Sequence, residues 1–178
     1  MFAADLINPK PFSSRYVEHG LKHELIALKE NEKIMLTRKT LVKILKCGLV
    51  ISQEVAILAG FPDARVVDFG CERHFGLAEV KCPETKYHVT PLEVCEDPSF
   101  CCEAVNGHCK LKRDHAYFSQ VQDQMGVTWA SWCDFILYTK KGISVERIVF
   151  EPDYWAELRQ KFSSYYLTHF IKHASKAV

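Results

Sequence analysis

The 178-residue sequence contains no long hydrophobic run, no evident internal repeat and almost no net charge. No stretch approaches the roughly 18 consecutive apolar residues of a membrane-spanning helix, so we do not expect a membrane protein. The N-terminal region has no basic segment followed by an apolar one, which argues against a secretory signal. Because 23 Lys and Arg residues stand against 22 Asp and Glu residues, the chain also lacks the overall basic excess typical of nucleic-acid-binding proteins.

The composition is typical of a globular domain. Hydrophobic residues make up 48% of the chain and aromatic residues 12%, which excludes a disordered or low-complexity protein. The length suits one domain with a sizeable core, so we predict a single domain over residues 1–178.

Eight cysteines require an interpretation, since an even number could form four disulfides. Without a secretory signal, we expect mostly free thiols in a reducing intracellular compartment, the cytoplasm or the nucleus. Four cysteines and two histidines lie close together in the sequence: Cys95, Cys101, Cys102, His108, Cys109 and His115. Their spacing does not fit the close cysteine pairs of structural zinc sites. We therefore predict a partly buried cysteine-rich insertion over about residues 94–110, with a zinc site as the alternative.

Hydrophobic periodicity and turn residues predict alternating helices and strands. The predicted helices cover 13–29, 114–125 and 152–173. The predicted strands cover 48–52, 56–59, 64–69, 75–82, 131–139 and 144–150, and residues 83–112 are predicted to be loop-like. This order predicts an α/β domain in which a central mixed sheet is flanked by helices. The aromatic residues of the last helix are expected to face the core: Tyr154, Trp155, Phe162, Tyr165, Tyr166 and Phe170.

Two neighbouring strands carry the residues best suited to chemistry. Alternate side chains of a strand share a face, so Glu79 and Lys81 point the same way. If the strands over 64–69 and 75–82 pair as a hairpin, Asp63 lies near Glu79. Two carboxylates and the main-chain oxygen of Val80 are the hard ligands that Mg²⁺ and Mn²⁺ prefer, and Lys81 could hold or deprotonate an attacking water. The alternative is an ordinary ion pair of Lys81 with Glu79 or Asp63.

Several ordered motifs resemble one family. Pro62-Asp63 followed by Glu79-Val80-Lys81 resembles the PD-(D/E)XK nuclease signature. The Tyr-x-x-Gln-x-Gln-x-x-Met pattern over 117–125 and the Gly-Leu-Lys-His-Glu segment over 20–24 resemble the YqaJ-like viral recombinase family, which includes lambda exonuclease. Further similarity over 127–128, 133–135, 138–139 and 145–148 extends the match across roughly residues 15–155.

The resemblance implies a restriction-endonuclease-like core and a metal-dependent site. Asp63, Glu79 and the main-chain oxygen of Val80 would bind the divalent metal. Lys81 would orient or activate the attacking water, and Glu24 would bind a second metal or its water shell.

Two residues of the motif over 117–125 receive supporting roles from the same resemblance. Gln120 would orient Lys81 or the water, with Tyr117 nearby. The spacing permits this, because Tyr117, Gln120 and Gln124 stand at i, i+3 and i+7 on one helical face. The alternative is a polar stripe that faces solvent.

The resemblance further implies a 5′-to-3′ exonuclease on linear duplex DNA, used in recombination or repair. It implies a single-strand annealing partner and a ring-shaped homo-oligomer. Members of the family carry an opening segment with an arginine and a Gly-Ser pair that is not visible here, so Arg15 is a candidate substitute and the chain could be an excised or truncated domain.

A basic segment offers candidate DNA contacts. Residues 29–46 contain six Lys or Arg residues and two Glu residues, which suits either a solvated surface or a stripe that contacts phosphates. With Arg15, the candidate DNA-binding residues are Arg38, Lys39, Lys43 and Lys46. Two alternative functions remain open. One is an endonuclease of the same fold, of restriction or junction-resolving type, and the other is a non-enzymatic nucleic-acid interaction module, with or without zinc.

Overall fold

The computed structural model describes residues 13–174, and a mixed sheet lies at their centre. Its strand order is β1-β4-β5-β8-β9, and only the pair β5 and β8 is parallel. These strands are β1 (Val42–Lys46), β4 (Ala64–Asp68), β5 (Phe75–Lys81), β8 (Trp132–Thr139) and β9 (Gly142–Val149). Two small antiparallel pairs join β2 (Val50–Ile51) to β3 (Ala59–Gly60) and β6 (Cys102–Val105) to β7 (His108–Leu111). The predicted mixed α/β architecture is confirmed.

Helices cover both faces of the central sheet. They are α1 (Arg15–Thr37), α2 (Pro91–Val94), α3 (Ala116–Thr128), α4 (Pro152–Tyr165) and α5 (Ile171–Ala174), with a 3₁₀ turn over Glu84–Lys86 and a π-helical turn over Tyr166–Phe170. Within residues 13–174, no helix is both long and apolar enough to cross a membrane.

Two apolar clusters, one on each face of the sheet, hold these layers together. On one face, Ala27 and Leu28 of α1 pack with Ala78 of β5. On the other face, Val121 and Met125 of α3 belong to a cluster with strand residues and the cysteine-rich segment. A parallel pair of strands needs a crossover connection, and its strands are buried on both faces, which explains why β8 is apolar along almost its whole length.

The structure corrects several predicted boundaries. Helix α1 continues to Thr37, well past the predicted end at residue 29, because residues 30–37 contain no Gly or Pro that would end it. Strand β1 lies inside the basic segment, where no strand was predicted. The predicted strands over 48–52 and 56–59 shrink to β2 and β3, with two residues each.

The prediction that residues 83–112 are loop-like is wrong. The segment contains the 3₁₀ turn, α2 and the hairpin of β6 and β7. The hairpin turns at Asn106-Gly107, whose φ angles are 51° and 76°. An Asn-Gly pair is the residue signal for such a turn, because both residues tolerate positive φ. Cys95, Cys101, Cys102 and Cys109 are buried in this segment, and all eight cysteines are free.

The predicted core face of the last helix is only partly correct. Tyr154 packs against the core, and the Trp155 ring covers Gly126 so closely that a side chain there would lie 2.4 Å from it. Phe162 and Tyr165 are exposed, which contradicts the prediction for the second half of the helix. Tyr166 and Phe170 stack on each other with ring centroids 5.2 Å apart.

Candidate catalytic site

Asp63 is placed by the antiparallel pairing of β4 and β5. The register sets Ala64 opposite Ala78, so the residue before β4 lies beside the middle of β5. The Oδ2 atom of Asp63 accepts a hydrogen bond of 2.7 Å from the backbone N–H of Val80. The predicted hairpin is therefore present, and it brings Asp63 to the strand that carries Glu79 and Lys81.

The Glu79 carboxylate lies at the centre of a hydrogen-bond network. It is only 3% exposed. Its Oε1 atom accepts from Lys81 Nζ at 2.6 Å and from Gln120 Nε2 at 2.8 Å, and its Oε2 atom accepts from Gln124 Nε2 at 3.0 Å. A carboxylate has about four lone-pair positions, so Oε2 keeps capacity for one more partner.

Lys81 is held as a cation. Its Nζ atom lies 4.1 Å from the centroid of the Tyr117 ring, which favours a positive charge. Burial alone would lower the pKa of Lys81, but the adjacent Glu79 carboxylate outweighs burial, and the pKa is raised.

A concentration of negative charge surrounds Asp63. Burial first, and then the Glu79 carboxylate, raise the pKa of Asp63 to about 7. Partial burial and Glu79 likewise raise the pKa of Glu24, which reaches the site from α1. Three carboxylates in one place repel each other, and a divalent cation would relieve this repulsion.

The carboxylates of Asp63 and Glu79 suit a hard cation, although they do not form a full set of ligands by themselves. Among residues 13–174, no three Asp, Glu, His or Cys side chains are spaced as a full ligand set. A zinc site in the cysteine-rich segment stays an alternative prediction. Mg²⁺ commonly keeps several waters and takes only one or two carboxylates, which fits Asp63 and Glu79.

Gln124 is a site residue whose spacing in the sequence predicts the correct helical face but no role. It is 2% exposed, and its Nε2 atom donates both to Glu79 and to the Phe61 carbonyl oxygen, at 3.3 Å for the latter. Its spacing from Tyr117 and Gln120, which puts all three residues on one helical face, is the sequence pattern that could have indicated this role. The alternative that this face is a solvent-facing polar stripe is wrong, because Gln120 and Gln124 both bind Glu79.

The candidate DNA-binding residues are not gathered at one place. Lys46 lines a groove that also contains Glu24 and Asp63, whereas Arg38 lines a different recess beside β9. Arg38 follows the end of α1 and stands 14 positions after Glu24, which corresponds to roughly 20 Å along the helix axis.

The other three candidates have separate surroundings. Lys39 follows α1 with a φ angle of 60°, and Lys43 is exposed on β1. Arg15 Nε lies 3.7 Å from Glu84 Oε2, and its guanidinium lies 5.0 Å from the Tyr16 ring. DNA contact by any of these residues stays a prediction.

The fold and the grouping of Asp63, Glu79 and Lys81 agree with the resemblance seen in the sequence. Residues 3–131 match the YqaJ-like viral recombinase domain, so the chain belongs to this family. Among solved structures, the chain is similar to LHK-Exo, an alkaline exonuclease from Laribacter hongkongensis, with a TM-score of 0.65 and 21% identity over 99% of this chain and 82% of that one. A structure of LHK-Exo in complex with dAMP gives a TM-score of 0.67 and 22% identity over 99% of this chain and 85% of that one. A search of curated protein sequences finds no match.

Proposed function

We propose that the chain is a divalent-metal-dependent DNA nuclease that acts as a 5′-to-3′ exonuclease on linear duplex DNA. Membership in the YqaJ-like viral recombinase family supports a nuclease that acts on DNA. The exonuclease solved with dAMP shares the fold, which supports a deoxynucleotide ligand for this chain too. The observation that carries the proposal is the buried Glu79 carboxylate, hydrogen-bonded to Lys81 and lying beside Asp63.

Asp63 and Glu79 would hold the metal, with Mg²⁺ as the proposed ion and Mn²⁺ as a substitute. The bound cation supplies charge neutralisation at the scissile phosphate and lowers the pKa of the attacking water. Glu24 would bind a second ion or its water shell, and the main-chain oxygen of Val80 would complete the first set of ligands.

Lys81 would position the nucleophile. An ammonium has three N–H donors, and one of them is used by Glu79. The remaining donors can hold the attacking water and a phosphate oxygen in line with the bond to be broken. Gln120 shares the same Glu79 oxygen with Lys81, and Tyr117 packs on the ammonium, so both act by fixing Lys81 and Glu79 in place.

Digestion of linear and closed-circular duplex DNA with Mg²⁺ tests this function. We expect the wild type to degrade only the linear DNA, and the Lys81→Ala variant to lose this activity by at least 100-fold. Lys161→Ala, which changes an exposed lysine on α4, serves as the matched control and should retain full activity.

The other results separate the alternatives. Cutting of the circular DNA would indicate an endonuclease. If the wild type is inert with both Mg²⁺ and Mn²⁺, a non-enzymatic nucleic-acid interaction module is the better interpretation. Faster release of a label from the 3′ end than from the 5′ end would contradict the proposed direction.

Gln124 yields a prediction about metal affinity. Gln124→Met keeps the length of the side chain but removes the donor to Glu79 and to the Phe61 carbonyl. We expect the affinity for Mn²⁺ to fall by about 10-fold, because partners that orient a metal ligand typically contribute that much. Titration of the metal-free protein with Mn²⁺, followed by electron paramagnetic resonance, measures this, with Gln160→Met as the control. Equal Mn²⁺ affinity of Gln124→Met and wild type would show that Gln124 does not position Glu79.

The proposed partners follow from the family resemblance. We propose a single-strand annealing protein as a partner and a ring-shaped homo-oligomer as the assembled state. Analytical ultracentrifugation of the purified protein tests the second of these.

A further inference from the structure

The recess that Arg38 lines is situated between the C-terminal half of α1 and the edge strand β9. It has a volume of about 380 Å³, which is within the range of small-ligand sites. Asn31 and Arg38 line it from the side of α1, and Ser144 and Arg147 line it from β9. Among the described residues that line the recess, none belongs to the candidate catalytic site, so this site does not account for it.

Asn31 is a buried polar residue whose amide oxygen lacks a partner in the described part of the chain. The residue is only 2% exposed, and it lines the recess. Its Oδ1 atom accepts no hydrogen bond from any of residues 13–174. A buried polar atom without a partner costs free energy, so such atoms in native proteins usually meet a bound water, an ion or a ligand. Asn31 therefore points to a hydrogen-bonding ligand in the recess.

Arg147 brings spare hydrogen-bond donors to the recess. A guanidinium has five N–H donors, and Arg147 uses three of them, two on Asp134 and one on Asp68. Two donors remain for a ligand. The Asp134 carboxylate, which also lines the recess, already accepts a hydrogen bond at each oxygen. A ligand that contacts Arg147 must therefore offer acceptor atoms.

Three further polar side chains of the recess are free to bind a ligand. They are Arg38, His108 and Ser144, and none of these side chains makes a hydrogen bond or an ion pair within residues 13–174. Arg147 has carboxylate partners, whereas the positive charge of Arg38 has none in this range. An uncharged ligand would leave that charge unpaired, and an anion would pair with it. The charge and the donors together therefore indicate an anion that is rich in acceptor oxygens.

A phosphate group fits these donors best. It offers three strong acceptor oxygens, and guanidinium groups bind phosphate in bidentate geometry. Ile34, Met35 and Ile143 line the recess as well, and these apolar side chains suit a base or a sugar ring attached to the phosphate. Because Asn31 is almost fully buried, a phosphate at the end of a small molecule can reach it, whereas the backbone of a DNA duplex cannot.

We propose that this recess binds a phosphate group carried by a small molecule, with Arg38 and Asn31 as its main contacts. Arg147, which its two aspartates hold in place, would donate to the same group. Inorganic phosphate and a nucleoside monophosphate both offer this chemistry. The inference does not depend on the proposed nuclease function, because the described residues of the candidate catalytic site lie outside the recess.

Isothermal titration calorimetry of the full chain tests this site, with inorganic phosphate and dAMP as separate probes. EDTA is present throughout, so that no metal ion holds a phosphate beside Asp63. We expect saturable binding of one molecule per chain. Arg38→Gln should raise the Kd by about 10-fold, because a charged contact to phosphate is lost. Lys33→Gln removes an exposed cation from α1 outside the recess and should leave the Kd unchanged.

Asn31→Leu separates a ligand contact from a structural role. Leucine is similar in size but apolar, so the contact from the amide is lost and we expect the Kd to rise by about 10-fold. The Tm of the ligand-free protein should not fall, because the amide oxygen has no partner within residues 13–174 to lose. A lower Tm with an unchanged Kd would overturn the assignment of Asn31. If Asn31→Leu does not fold, the comparison of Arg38→Gln with Lys33→Gln still decides.

The probes distinguish the two sources of the phosphate group. Binding of dAMP that is tighter than binding of inorganic phosphate by about 10-fold or more would support a nucleoside monophosphate, and equal Kd values would support free phosphate. Deoxyadenosine that binds as tightly as dAMP would overturn the proposal, and so would a lack of saturable binding of both probes up to about 10 mM. Displacement of dAMP by a duplex without terminal phosphates would assign the recess to the DNA backbone and contradict a small-molecule site.

Discussion

Replacement of Arg147 with methionine is expected to destabilise the protein by about 3 kcal/mol. Arg147 donates two hydrogen bonds to Asp134, of 2.8 and 2.9 Å, and one of 2.8 Å to Asp68, while its guanidinium lies 3.6 Å from the centroid of Trp132. Both aspartates are 3% exposed. Without Arg147 both aspartates would remain as buried, unpaired charges. The free-energy cost of these unpaired charges exceeds the loss of the hydrogen bonds alone.

The same variant should show a characteristic pH dependence. Burial already raises the pKa of Asp134, and Arg147 opposes this rise. Without Arg147 the folded-state pKa rises further above the unfolded value of about 3.9, so the destabilisation is small near that pH and grows as the pH increases. Urea unfolding at pH 5 and pH 8 measures the difference.

Arg159→Met provides the control for the Arg147 prediction. Arg159 pairs with Glu54 at 2.8 Å, but both side chains are exposed, so its loss should cost less than about 1 kcal/mol. Equal stability losses for the two variants, or a loss in Arg147→Met that does not change with pH, would contradict the assignment of a buried charge network.

The strands that carry the site could be predicted because local patterns determine them. Glu79 and Lys81 alternate with apolar residues in β5, and the β8–β9 hairpin was predicted close to its actual boundaries. Strand β1 was missed because its lysines suggested a solvated surface. It is the edge strand of the sheet, where exposed lysines are common since they discourage pairing with other chains.

The residues that support Glu79 could not be predicted from the sequence, because their positions depend on tertiary contacts. A glutamine in a helix gives no local sign that it will be buried, and Gln124 is buried because the Glu79 carboxylate and the Phe61 carbonyl both offer it an acceptor. The separation of Lys46 from Arg38 could not be predicted either, since it follows from the continuation of α1 beyond its predicted end.

Asp63→Asn is expected to abolish hydrolysis while it stabilises the metal-free protein. The amide oxygen of asparagine can still accept the hydrogen bond from Val80, but the loss of charge removes a metal ligand. We expect hydrolysis of linear DNA to fall by at least 1000-fold, because charge neutralisation at the phosphate depends on that ligand. The repulsion between Asp63, Glu79 and Glu24 would decrease at the same time, and the Tm should rise by about 5 °C.

The size of the stability gain depends on pH. The pKa of Asp63 is raised to about 7 in the folded protein, so ionisation of Asp63 costs stability as the pH rises from about 4 to 7. The gain from Asp63→Asn should therefore be complete above pH 7 and small near pH 4. Thermal unfolding in the presence of a chelator, at pH 5 and pH 8, measures this.

Asp114→Asn, which changes an exposed aspartate, controls for the general effect of losing one negative charge and should alter neither activity nor Tm. If the Tm of Asp63→Asn at pH 8 is lower than that of the wild type, the Asp63 carboxylate stabilises the folded protein on balance. Retained hydrolysis would remove Asp63 from the proposed metal site. A stable but inactive variant is the expected result for a residue whose charge serves catalysis at the expense of stability.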